Sequence, residues 1–120
     1  MKEQIEKLTH YSVSDYREWK TRRGVGYEGD LKCDGILIGG FSNDGDGSAT
    51  DIYVEDVSQV KTFIALADEI FAGYSIDKTA HLIDILIDAY QRAAQGMPKT
   101  NLLAGLISFY QCTYAEFKAA

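Results

Sequence analysis

Apolar positions along this chain change their spacing twice. They recur every three or four residues at the start, every two residues from Val25, and every three or four again from Val57. The first ten residues, MKEQIEKLTH, suit a short helix. In SVSDYREWKTRRG, Val13, Tyr16 and Trp19 fall at three-residue intervals. Ser12 stands where a cap belongs, Asp15 falls in an acidic first turn, and Arg22 and Arg23 precede Gly24. These features predict a helix over 12–23, with its basic residues at the C-terminal end.

From Val25 the alternation is that of a half-buried strand. Val25, Tyr27, Leu31 and Cys33 point one way; Gly26, Glu28, Asp30 and Lys32 point the other. Asp34-Gly35 separates this run from ILIGGF, and an Asp-Gly pair in that position predicts a two-residue hairpin turn with positive φ at both central residues. Gly39-Gly40 marks a bulge or the strand's end. After the polar stretch SNDGDGSAT, DIYVE offers a third strand with Ile52 and Val54 on one face.

The remainder reads as three helices. In the first, Val57, Val60, Phe63, Ile64, Ala67, Ile70 and Phe71 form one stripe, capped by Asp56 with Gln59 three residues on and ended by Gly73. The second runs from Ile76 to Gln95, capped by Ser75 and stopped by Gly96 and Pro98. Its apolar arc includes Ala93 and Ala94, and is broad enough to require several packing neighbours. The third, Asn101 to Lys118, gathers Leu102, Leu106, Phe109, Tyr110, Tyr114 and Phe117 on one side and Ala104, Gly105, Ser108, Cys112 and Ala115 on the other. The small face suits packing on the preceding helix or a homodimer seam through this C-terminal helix. The expected class is α+β: an N-terminal helix, a three-stranded antiparallel β-meander, then three helices packed on one face of the sheet. Residues 1–120 make one domain, with a helical N-terminus at 1–23, the meander at 24–55 and the helical region at 56–120.

Composition adds constraints. At 46% hydrophobic and 25% charged, the 120-residue chain can bury a real core. The longest run without an ionised side chain, Thr100–Ala115, falls short of the roughly 20 apolar residues of a membrane span. The N-terminus lacks an apolar signal core, so a soluble cytoplasmic protein is expected. Cys33 and Cys112 make neither a disulfide framework nor a zinc spacing. Buried free thiols are expected, and a bridge between them requires the fold to bring them together.

Charge is unevenly spread. Residues 1–24 carry a net +2, residues 25–56 a net −7 and residues 57–120 a net −1. This distribution opposes direct nucleic-acid binding, which needs a basic footprint. It suits a solvated surface, a cation site or a face aimed at a basic partner.

Three constellations are candidates for chemistry. Counting from Asp44, the residues Asp44, Asp46, Ser48, Thr50 and Glu55 occupy oxygen-ligand positions of a twelve-residue calcium loop. Ala49 stands where the turn wants glycine and Asp51 where an apolar residue belongs, so a plain polar turn competes with a calcium or magnesium site. On the middle helix, Asp77, His81, Asp84 and Asp88 fall within roughly 60° of one another. They could ligate a metal, pair a base with an acid, or form the wet edge of a buried helix. Arg17, Trp19, Lys20, Arg22 and Arg23 could hold an anion, or complement a helix end and the neighbouring acidic sheet. A phosphate loop needs strand before helix, and here the expected order is reversed.

The leading expectation is a non-enzymatic binding protein. Its acidic sheet surface (Glu28, Asp30, Asp44, Asp46, Asp51 and Glu55) would meet a protein partner with a basic surface, as an inhibitor or accessory factor for a nucleic-acid-binding protein. The alternatives are a cation- or small-ligand-binding domain and a small enzyme centred on His81 with Asp84 and Asp88.

Overall fold

A computed structural model describes residues 1–92 and 98–118. The chain runs α1 (Lys2–Leu8), β1 (Tyr11–Thr21), β2 (Gly24–Cys33), β3 (Ile36–Asn43), β4 (Asp51–Val54), α2 (Val57–Ile70), α3 (Lys78–Arg92) and α4 (Lys99–Thr113), followed by a short 3-10 helix at Ala115–Phe117. The class is the expected α+β. An N-terminal helix precedes an antiparallel sheet, and three helices follow it.

The sheet has four strands in the order β1-β2-β3-β4, because the segment expected to be a second N-terminal helix is strand β1. A bulge explains the misreading. Ser14 pairs with Asp30 and Arg17 with Glu28, so Asp15 and Tyr16 together oppose Gly29. The extra residue shifts the two-residue period by one. Val13 and Tyr16 therefore both face the helices, three positions apart, and imitate helical spacing. Val13 is buried, and the Tyr16 ring lies 6.2 Å from that of Tyr90 on α3. Asp15 takes the strain, with φ at +50°, a left-handed conformation that aspartate tolerates better than most residues.

The Asp34-Gly35 turn forms as the sequence indicates. Cys33 pairs with Ile36 across it, and the two turn residues have φ of +51° and +80°. Gly39 borders the second bulge, where Leu31 pairs with Gly39 but Lys32 with Leu37.

One layer of helices covers one sheet face: α2 lies on β3, α3 on β1, and the four helices contact one another. Between the layers Val13, Leu31 and Phe41 meet Phe63, Ile83 and Leu86, all buried. The Asp56 carboxylate caps α2 by accepting the Gln59 N–H at 3.1 Å. At the start of α3 it is Asp77, not Ser75, that caps, accepting the Ala80 N–H at 3.2 Å. The expected end of that helix, through Ala93, Ala94, Gln95 and Gly96, lies outside the described residues. Of α4, Leu103, Leu106 and Ile107 are buried, whereas Phe109 is 65% exposed. Both cysteines are free. Cys33 is partly buried, but Cys112 is exposed, contrary to the expected buried pair. Among the described residues no helix is long and apolar enough to cross a membrane.

Candidate binding face

The sheet face turned away from the helices is built from rows of directly opposed residues, which in an antiparallel sheet share a face. One row runs Ser14, Asp30, Gly40, Tyr53; the next runs Arg17, Glu28, Ser42, Asp51. A third pairs Trp19 with Gly26. Glu28, Asp30 and Asp51 therefore lie on one open face, as the alternation within β2 and within β4 suggests.

Two glycines on this face are roofed by aromatic rings. A Cβ on Gly40 would fall inside the Tyr53 ring, and one on Gly26 inside the Trp19 indole. Glycine lets each ring lie flat across the neighbouring strand and recovers packing that a bare glycine forfeits. Tyr53 and Trp19 remain 49% and 41% exposed, so each presents a wide apolar surface beside carboxylates.

A hollow of about 560 Å³ opens here, lined by Asp15, Glu28, Asp30 and Tyr53 and reaching Tyr16 and Tyr90 at the β1 edge. Partial burial raises the pKa of Asp30, and the adjacent Asp15 carboxyl raises it further, while Lys32 opposes the shift. The Tyr53 hydroxyl is raised by burial and by the charges of Asp30, Glu28 and Glu55. Arg17 is hydrogen-bonded to Glu28 across the strands. Asp15 was not among the acidic residues expected from the sequence, because a helix assignment pointed it elsewhere.

Asp44 and Asp46 sit apart from these rows, exposed in the β3–β4 loop. That loop is held by its own polar groups. Asn43 Oδ1 accepts the Gly45 N–H at 2.9 Å, Asp46 Oδ1 accepts the Ser48 N–H at 2.9 Å, and Asn43 Nδ2 donates to Ser48 O at 3.1 Å. The bonds from Ser48 hold the Asp46 pKa below the usual carboxylate range. Gly45 lies against the backbone of Val25 and Gly26, and its carbonyl is 2.9 Å from Thr21 Oγ1. Among the described residues no three His, Cys, Asp or Glu side chains are grouped to hold a metal ion.

The basic group does not sit at a helix end. Arg17 and Trp19 lie on the open face, Lys20 is opposite Val25, and Arg22 and Arg23 form the β1–β2 turn between the paired Thr21 and Gly24. Strand geometry sends Arg17 and Lys20 to opposite faces, which spreads the group instead of converging it.

The stripe on α3 turns inward more than a wet edge would. His81 Nδ1 is 2.8 Å from Asp77 O, and its ring stands edge-on to Tyr114 at 4.4 Å and to Phe71 at 6.3 Å. Asp88 accepts the Tyr110 hydroxyl at 3.2 Å and lies 3.5 Å from Arg92. Asp84 is pushed up to about 6, chiefly by burial against the sheet; Asp88 and Asp77 add to the rise and His81 opposes it. A second titratable group escaped the sequence reading. His10 Nδ1 is 2.7 Å from Asp34 Oδ1, near Cys33. Burial and Asp34 both raise the thiol's pKa, the opposite of what activates a cysteine nucleophile. Comparisons with family models, with curated proteins and with solved structures found no match.

Proposed function

We propose that the protein is a non-enzymatic binding protein whose open sheet face receives a basic protein surface. The observation that carries this reading is the open face itself. Asp15, Glu28, Asp30 and Asp51 share it with the exposed rings of Tyr53 and Trp19. Carboxylates beside flat aromatic surface suit guanidinium groups, which take carboxylates bidentately and stack on rings. Rings fixed over glycines lose little freedom on binding, which favours affinity. A partner that itself handles nucleic acid has the complementary charge, which would make the protein an inhibitor or accessory factor. Amide-shift mapping with an arginine-rich peptide tests the assignment. Shifts confined to the open-face rows of β1, β2 and β4 support it, and shifts centred on the helices refute it.

A homodimer through α4 is the second reading. Phe109 stands exposed on α4, four residues from Gly105, whose Cα faces open space. Sedimentation that stays monomeric across a wide concentration range removes it.

A further inference from the structure

The edge of the sheet along β1 carries a second hollow, which meets the acidic one at Tyr90. Asp34 N–H donates to His10 O at 2.7 Å, which makes Tyr11 and Cys33 a pair without mutual hydrogen bonds. The N–H and C=O groups of Tyr11 and Val13 therefore point away from β2, toward the open edge. Lys99, at the start of α4, reaches this edge. Its ammonium donates to Thr9 O at 2.8 Å and to Tyr11 O at 2.9 Å. An ammonium has three donors, so one remains. Among the described residues no carboxylate forms an ion pair with Lys99. Beside it lies a groove of about 310 Å³, lined by Val13, Leu86, Ala89, Tyr90 and Leu102 together with Lys99.

These parts suit strand addition with an end stop: an edge whose Val13 N–H and C=O have no partner among the described residues, an apolar trough beneath it, and a cation at one end. The geometry points to the carboxyl-terminal strand of a partner protein as the occupant, added antiparallel to β1 with its terminal carboxylate on Lys99. Lys99 sits where β1 begins, so a strand ending there runs against β1. Backbone bonds to Val13 hold the added strand, and alternate apolar side chains enter the trough over Ala89 and Leu102. The Lys99 ammonium decides the occupant: bonded to the edge-directed Tyr11 O, it lies in the plane of the strands, where a terminal carboxylate falls, whereas the side-chain carboxylates of an internal segment project to the sheet faces.

The test uses a short N-acetylated peptide of alternating serine and leucine, as free acid and as C-terminal amide, titrated into the full chain. The free acid binds about tenfold or more tightly than the amide, a difference set by one charge-assisted contact. Amide shifts cluster at Tyr11–Val13 and Leu102. Ala89→Phe fills the trough and abolishes binding. Lys99→Met, whose folding is checked by its melting temperature, binds acid and amide alike, which a merely structural lysine would not predict. Equal binding of acid and amide by the unmodified chain overturns the proposal, as does no binding at millimolar peptide. Saturation by decanoate with no response to the peptide also overturns it, in favour of a fatty-acid site.

Discussion

On the helix-covered face of the sheet, Phe41 lies over Gly29 and is fully buried; on the open face, Tyr53 lies over Gly40 and is half exposed. The local device is the same, a cross-strand ring seated on a glycine. The surroundings make it a core element in one place and an exposed ring in the other. The covered ring is closed in by buried residues from both layers. The open ring is surrounded by Asp30, Glu28 and Glu55, whose charges raise its hydroxyl pKa after burial does. A sheet one layer thick on one side leaves its other face to solvent or to a partner, and here that face combines carboxylates with rigid apolar area.

The largest effect separating the two faces should come from Phe41→Ala, which empties a fully buried site and costs about 3–5 kcal/mol in urea unfolding. Asp84→Asn tests the helix-sheet interface in the opposite sense. A carboxyl raised from 3.8 to about 6 binds its proton more tightly in the folded chain. Its stabilising effect is present at low pH and is lost as pH rises through that interval. The amide should stabilise the protein by about 1–3 kcal/mol at neutral pH and flatten the pH dependence of stability across the same interval. Tyr53→Ala, half exposed, should cost about 1 kcal/mol, well below its covered counterpart. A loss equal to that of Phe41→Ala would mean that the open face is part of the core. Smallest is the response of the β3–β4 loop to calcium. Because Asp46 is already bonded to Ser48, millimolar calcium should leave the melting temperature unchanged. A clear rise would restore the cation reading for Asp44, Asp46 and Glu55.

Much of the fold can be read from short-range signals. Asp34-Gly35 specifies its turn because both residues accept positive φ, and Asp56 specifies the start of α2 by accepting one backbone N–H. Strand β1 was hidden for two physical reasons. Its bulge puts Val13 and Tyr16 on one face at a helical interval, and its turn to β2 is Arg22-Arg23, which lacks the glycine or asparagine that usually marks a hairpin. The error carried into the site. Alternation alone puts Glu28, Asp30 and Asp51 on the open face, whereas Asp15 reaches the hollow there only through the bulge. The aromatic part was hidden as well, since Trp19 and Tyr53 acquire meaning from the glycines opposite them, and that pairing is long-range.

The central claim is that the open face binds through its charge. The most direct measurement is the salt dependence of binding of an arginine-rich peptide to the unmodified chain and to a variant carrying Asp15→Asn, Glu28→Gln and Asp30→Asn. Affinity should fall steeply with ionic strength for the unmodified chain, and the variant should bind at least about tenfold more weakly at low salt, with a shallower slope. Equal affinity and equal slope for the two proteins would contradict the account.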